Sequence, residues 1–310
     1  MSFMKKDGII MNPKIVIRTI ADDTTGFGHL IRCKNIAAEI RKQGGHVSFA
    51  LAAKKKIIKT LVNEGIDVFQ LPKTKINDYI QEINLLKKVF PDVEWLVIDD
   101  FSLERRYENY ARKWVKNILV IDGIQRKHDC DIWIDPSIRP KETDYKKLNK
   151  GDVISFTGRD YLLINPDYKK KHGQSLNHSG VVNRLLINFG GGKNVCKADS
   201  ILKALKQTGY NGEVHLVRTE VSDMCLSNKN WPFKLIYYPW VDNMPDLVMT
   251  MDAAIGAGGL SAWERCAAGI PSIVFKVADN QSHICDFLSA SESALVVHDQ
   301  PQNVLLAIFH

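Results

Sequence analysis

The sequence predicts an α/β protein made of two Rossmann-like domains, each with a parallel sheet. Three observations carry this. The chain has 310 residues, about two domains at ~150 residues each. Short, continuous apolar runs alternate with helix-period segments throughout, as in parallel sheets covered on both faces. Several of those runs end in glycines just before a helix begins, where open α/β sheets bind ligands.

The first series opens with a strand at Lys14–Ala21. Leu30, Cys33, Ala37 and Ile40 then recur at helical spacing, and Gly44-Gly45 ends that helix. Strands follow at His46–Ala52, Ile66–Leu71, Trp95–Asp100, Asn117–Asp122 and Asp131–Pro136, with helical stretches at Asp78–Val89 and Leu103–Val115. The second series has strands at Leu185–Phe189, Glu213–Arg218, Leu235–Tyr238, Ala253–Ile255, Ser272–Val277 and Ala294–His298. Its helices are expected at Val195–Gln207, Pro245–Met251, Ser261–Ala268 and Gln281–Ser289. Between the series, residues 167–183 hold Lys169-Lys170-Lys171, two glycines and few apolar side chains, so a linker is placed there. The expected domains are residues 13–166 and 184–310, with a ligand cleft between them.

Composition narrows the function classes. Hydrophobic residues make up 45% and charged residues 25%, which excludes a disordered tail or a collagen-like chain. The six cysteines form no CxxC pair, which argues against a zinc ribbon or a redox motif. No window reaches the ~20 apolar residues of a membrane span. Met1 to Asn12 lacks a signal-peptide core, so a cytoplasmic protein is expected. The net charge of +7 is spread in short runs such as Lys54-Lys55-Lys56. It suits a phosphorylated ligand as well as a nucleic acid, and no nucleic-acid recognition motif accompanies it.

Four constellations stand where chemistry is expected. Gly26-Phe27-Gly28-His29 lies between the first strand and the first helix. Its histidine at a helix start is disfavoured from carrying extra positive charge, which suits a general base; the alternative is a turn with a capping or buried histidine. The full GxGxxG fingerprint is absent, because Ile31 fills its last position. Asn188-Phe189-Gly190-Gly191-Gly192 ends a strand and suits a phosphate loop or a plain turn. Ile255-Gly256-Ala257-Gly258-Gly259-Leu260-Ser261-Ala262-Trp263-Glu264-Arg265 joins a strand to a helix start, a ready anion site. There Glu264 could take ribose hydroxyls or close a capping box on Ser261. Ala278-Asp279-Asn280-Gln281 lines the same edge or caps the next helix.

Asp22-Asp23 and Asp99-Asp100 each end a strand. Neighbouring strand residues face opposite ways, so one of each pair is expected to be structural. His128-Asp129-Cys130-Asp131 reads as a polar lead-in to a strand rather than a metal cluster.

Taken in order, these segments resemble the UDP-2,4-diacetamido-2,4,6-trideoxy-β-L-altropyranose hydrolases of pseudaminic-acid biosynthesis and the related spore-coat polysaccharide proteins (PseG/SpsG type). The resemblance covers about residues 14–298 and also takes in Trp95 to Asp99, Ile118 to Asp122 and Tyr161-Leu162-Leu163. It implies a GT-B-like fold with UDP bound mainly to the second domain. It implies that His29 is the catalytic base and that Gly190, Gly191, Gly258, Gly259, Ser261 and Glu264 bind the nucleotide. Gly28, Arg32, Asp99, Asn280 and Gln281 are placed at the substrate cleft, and no metal or other cofactor is called for. The implied reaction is hydrolysis of a UDP-sugar, with inversion, by a water activated at His29.

The chain departs from that family at several points. Ile20 replaces an acidic residue, Phe101 an aromatic hydroxyl, and Pro136-Ser137 a Gln-Asn pair; Leu260 and Ala262 stand where hydroxyls are usual. Most of these lie on the sugar side. Two rival readings stay open: a glycosyltransferase with an acceptor hydroxyl in place of water, and a non-catalytic nucleotide-sugar binding module.

Overall fold

A computed structural model describes residues 12–22, 26–72, 79–124, 126–138, 145–171, 180–190, 195–218 and 230–297. The chain divides into two compact units. The first runs up to Asp22 and then over His29–Leu163; the second runs from Ile164 onward and takes in the short stretch ending at Gly28.

In the first unit, β1 (Lys14–Ile20), β2 (His46–Ala52), β3 (Asp67–Gln70), β4 (Trp95–Asp99), β5 (Asn117–Ile121), β6 (Ile132–Asp135) and β7 (Ile154–Thr157) form one sheet in the order β3-β2-β1-β4-β5-β6-β7. Every pairing in it is parallel. The helices are α1 (Gly28–Lys42), α2 (Lys55–Asn63), α3 (Tyr79–Val89), α4 (Arg105–Ala111) and the short α5 (Tyr145–Leu148). β1 and β4 are buried along almost their whole length, as central strands covered on both faces must be. Phe49, Leu96, Ile118 and Trp133 are fully enclosed in this core.

The second unit contains β8 (Arg184–Asn188), β9 (Glu213–Val217), β10 (Lys234–Tyr238), β11 (Ala253–Ala257), β12 (Ser272–Phe275) and β13 (Leu295–Val297), in the order β10-β9-β8-β11-β12-β13. These pairings too are parallel. Its helices are α6 (Asp167–Lys171), α7 (Val195–Gln207), α8 (Met244–Val248), α9 (Leu260–Ala268) and α10 (Ser282–Ala290). Leu185, Ile187, Ile201, Leu205 and Ile255 form the centre of one core, and Tyr168, Leu186 and Met251 belong to a second on the other face of the sheet. The two parallel α/β domains match the predicted fold class.

Several elements differ from the expectation, among them the unpredicted α2, α5 and β7. β7 had no place among the predicted strands; it is a four-residue edge strand in which Ile154 is 60% exposed, so its apolar signal is weak. The start of the expected linker, Asp167–Lys171, is helical, and Tyr168 is fully buried in the second unit's core. The lysines around that tyrosine mask its burial in the sequence. The last residues of the predicted C-terminal strand, from His298 on, lie outside the described residues.

In both sheets the strand order reverses beside the first strand of the unit. The reversals lie between β1 and β4 in the first sheet and between β8 and β11 in the second. Loops leave the carboxyl ends of such a pair in opposite directions and open a crevice there. His29 follows β1 and Asp99 ends β4. Gly190 follows β8, and Gly258-Gly259 follow β11.

Candidate functional site

In the first unit, α1 begins at Gly28 and buries His29, Leu30, Cys33 and Ala37 along one face. This fixes the His29 ring against the sheet. Thr19 on β1 pairs with Asp99 on β4, so the carboxylate is delivered to the same strand edge. His29 Nδ1 lies 2.6 Å from Asp99 Oδ1. Arg32, one turn along α1, donates from Nε to Asp99 Oδ2 at 2.6 Å and from Nη2 to Asp99 Oδ1. Cys33 Sγ adds a weak donor to Oδ2 at 3.2 Å.

Asp99 has no solvent exposure. Burial alone raises a carboxyl pKa, but the Arg32 charge and the hydrogen bonds from Arg32 and His29 outweigh it and hold Asp99 at about 2. An ionised Asp99 only accepts, so the proton of the neutral imidazole sits on Nδ1. Arg32 Nη2 is 3.1 Å from that nitrogen, and two N–H groups share no hydrogen bond. The His29 Nε2 lone pair is left available, with no hydrogen-bond partner among the described residues. Phe101 packs edge-on against the ring at 4.6 Å and also lies under the Arg32 guanidinium at 5.7 Å.

Asp100 takes the other side of the strand. It accepts from Arg18 Nη1 at 3.1 Å and from the Ser102 backbone N–H at 2.8 Å. The two carboxylates therefore face different partners, as the strand alternation predicts: Asp99 the His29 and Arg32 side chains, Asp100 Arg18 and Ser102. Asp23 lies outside the described residues. His128 and its neighbours are taken up by ion pairs and hydrogen bonds to Glu108, Asp122, Arg112 and Lys150. Among the described residues no group of three or more His, Cys, Asp or Glu side chains could hold a metal ion.

In the second unit, β8 ends at Asn188, whose Oδ1 accepts from the Gly190 N–H at 2.8 Å. Gly190 has φ 75°, a turn conformation in which a side chain is strained. Gly191 lies outside the described residues. β11 runs into Gly258-Gly259, and a Cβ on Gly258 would lie 2.5 Å from Cys285 Sγ. The helix start is one residue earlier than expected. Its N-cap is Gly259, with no side-chain cap, so Ser261 does not close a capping box with Glu264. The first N–H groups of α9 are therefore not consumed by a cap.

Glu264 lies one turn in and is 8% exposed, and burial raises its carboxyl to about 7. Gln281 supports the loop from the side: its Oε1 accepts from the Val277 N–H at 3.0 Å, and its Nε2 faces Gly259. Asn280 belongs to the tight turn Asp279–Gln281, which leads directly into α10; its side chain is outside the described residues. The expected Asp or Asn cap does not form there, since Gln281 occupies the N-cap position without a side-chain bond.

The structure thus gathers His29, Arg32 and Asp99 at one strand edge. It gathers Gly190, Gly258, Gly259, Ser261, Glu264 and Gln281 at the other. Arg32 and Asp99, expected as substrate-cleft residues, are engaged with each other and with the imidazole. Phe101, noted only as a departure, proves to be the ring's packing partner. Arg265 was not singled out at all.

No family model matches the chain. One curated relative, the uncharacterized protein MJ1062 of Methanocaldococcus jannaschii, is 24% identical over 274 residues, covering 84% of this chain and 55% of that protein. The chain thus spans about half the length of the curated relative it matches. Among solved structures, MurG of Acinetobacter baumannii aligns with a TM-score of 0.60 and 14% identity, over 96% of this chain and 90% of that one. UGT2 of Phytolacca americana, complexed with UDP-2-fluoro-glucose and pterostilbene, aligns at TM-score 0.59 and 13% identity, over 96% and 89%. Alr3699/HepE of Anabaena, in complex with UDP-glucose, aligns at 0.56 and 14%, over 96% and 88%. The fold is that of the GT-B glycosyltransferases.

Proposed function

We propose that this chain hydrolyses a nucleotide sugar, releasing UDP from a UDP-2,4-diacetamido-2,4,6-trideoxyhexose with inversion at the anomeric carbon. The observation that supports it most is the His29–Asp99 pair, with Nδ1 held by an ionised carboxylate and Nε2 free. In this reading His29 Nε2 takes a proton from water as the water oxygen bonds to the anomeric carbon. The carbon–oxygen bond to the diphosphate breaks, and its electron pair leaves with UDP. Asp99 stabilises the imidazolium that forms, and Arg32 fixes Asp99. The helix start after Gly259 stabilises the negative charge of the departing diphosphate. Glu264 takes the ribose hydroxyls. The chemistry uses no metal, so EDTA is expected to leave turnover unchanged.

A second reading, transfer to an acceptor hydroxyl, is favoured by the fold shared with glycosyltransferases. It uses the same base. Incubating the UDP-sugar alone and following free sugar and UDP separates the two. Release in water at the full rate supports hydrolysis. Turnover that begins only when an acceptor is added overturns it. UDP binding without any turnover, unchanged in His29→Ala, overturns both in favour of a binding module.

A further inference from the structure

Arg265 has an unusual place in the second unit. It lies on α9 and is 1% exposed. Its Nη2 donates to the Ala257 carbonyl at 3.0 Å, while Nε and Nη1 have no hydrogen-bond partner. Among the described residues it has no ion-pair partner; Glu264, Cys266 and Tyr168 act on it only through their fields. Burial lowers its pKa to about 10, so it remains a cation at neutral pH. Glu264 is a weak counter-charge, because burial keeps that carboxyl partly protonated near neutrality. Tyr168, fully buried, has an unpaired hydroxyl and supplies no charge. A cation enclosed without an opposite charge is costly to the free protein, which points to an anion that arrives from outside.

The geometry shows where that anion would be felt. Helical side chains lean toward the N-terminus of their helix. Arg265, in the second turn, accordingly reaches back to the end of β11. Its Nη1 lies 2.8 Å from the point a Cβ on Gly256 would occupy, and its Nη2 is bound to the next carbonyl. Gly256 is a glycine inside an otherwise apolar strand because this guanidinium and the Asn188 carbonyl fill the space. The residues that follow are Gly258-Gly259 and the uncapped start of α9. The cation and the free N–H groups therefore converge on one loop.

We propose that Arg265 is the buried counter-charge of the bound diphosphate, acting through the Gly256–Gly259 loop to set affinity for the anion. The inference rests on the reading of this domain as a nucleotide-binding one. Arg265 is a positioning residue and not a catalytic one.

The test titrates UDP, inorganic pyrophosphate and uridine into the wild type and into Arg265→Met, Arg265→Gln and Arg265→Lys, with the melting temperature of each free protein. The expected loss for Met and Gln is on the order of 10-fold or more for UDP and pyrophosphate, with uridine unchanged. Lys keeps most of the UDP affinity. Free Arg265→Met melts no lower than the wild type, since an enclosed charge has been replaced by an apolar chain. Arg265→Gln keeps an N–H donor for Ala257 and carries the test if the Met variant does not fold. Unchanged UDP affinity in a folded neutral variant overturns the inference, as does an equal loss for UDP and uridine. If the wild type binds pyrophosphate but not UDP, the nucleotide reading fails and the pyrophosphate arm still decides the role of Arg265. Binding of neither by the wild type overturns both.

Discussion

At the scale of single residues, the site is defined by how one carboxylate is held. Asp99 accepts from His29, Arg32 and Cys33, and the Arg32 contacts are bidentate. His29→Ala is expected to lower kcat by at least ~10²-fold, the contribution of a positioned base, with UDP affinity preserved. Asp99→Asn should cost a similar factor because the amide no longer stabilises an imidazolium. Steady-state rates beside UDP titrations check both, and a His29→Ala enzyme of normal kcat would remove the base from the scheme.

Asp99 also links stability to pH. Its folded pKa of about 2 lies below the ordinary 3.8, so its contribution is present above about pH 4 and disappears as pH falls toward about 2. That shift corresponds to roughly 2 kcal/mol. Urea midpoints of wild type and Asp99→Asn measured between pH 2 and 5 should converge at the acid end. Parallel curves would contradict the linkage. Cys33 is inert for the same geometric reason. Burial, and then the Asp99 charge, push its thiol well above the usual range, so alkylating reagents should leave it unmodified in the native state.

The sequence already exposed His29 and Asp99 as candidates, one by its glycine-flanked turn and the other by its place at a strand end. What it hid was their mutual contact, because a pairing across 70 positions depends on the register of β1 and β4. Arg265 was hidden too, since nothing local separates a buried arginine from a solvated one. Gly256 hid it further: it reads as the start of the glycine turn, whereas β11 continues through it to Ala257 and the glycine makes room for the guanidinium.

At the scale of elements, polar side chains fasten helices to the first sheet. Arg18 on β1 holds Glu82 of α3 through Nε at 2.7 Å, and Tyr107 of α4 donates to the same carboxylate at 2.8 Å. His128 does the equivalent work for α4. Its Nδ1 hydrogen-bonds Glu108, and its Nε2 lies 3.2 Å from Asp122 Oδ2, out of line for a hydrogen bond, so that contact is electrostatic. Burial opposes a charge on His128, but Asp122 and Glu108 outweigh it and raise the pKa above 6.5. Protonated His128 therefore stabilises the fold below pH 6.5, and that contribution is lost as pH rises through the folded pKa. Replacing it by Gln should destabilise the protein more at pH 6 than at pH 9 in urea unfolding; an equal effect at both would show that the ring acts by packing alone.

The central strands were legible as elements because complete burial leaves an unbroken apolar run, as in Val16-Ile17 and Leu185-Leu186-Ile187. β7 was not, because a short edge strand with exposed positions lacks that run. The α9 start lies one residue before the expected one, with Gly259 as its N-cap.

At the scale of the whole molecule, the chain holds two α/β units with separate cores. The proposal assigns the base to one and the nucleotide to the other. UDP at 100 times its Kd would stabilise the protein by about 2.7 kcal/mol. Amide hydrogen exchange should locate the gain in Gly256–Ala268 and the β8 exit, leaving the first unit's central strands little changed. Protection confined to the first unit would reverse the assignment.

Thr19 and Asp99 are register partners in the parallel β1–β4 ladder. The β1–β4 register thus brings Asp99 to the strand edge that α1 follows, where His29 meets it at 2.6 Å. In the proposed reading, a chimera carrying a foreign turn after β6 alone should change which sugar is accepted while keeping the pH profile of the parent.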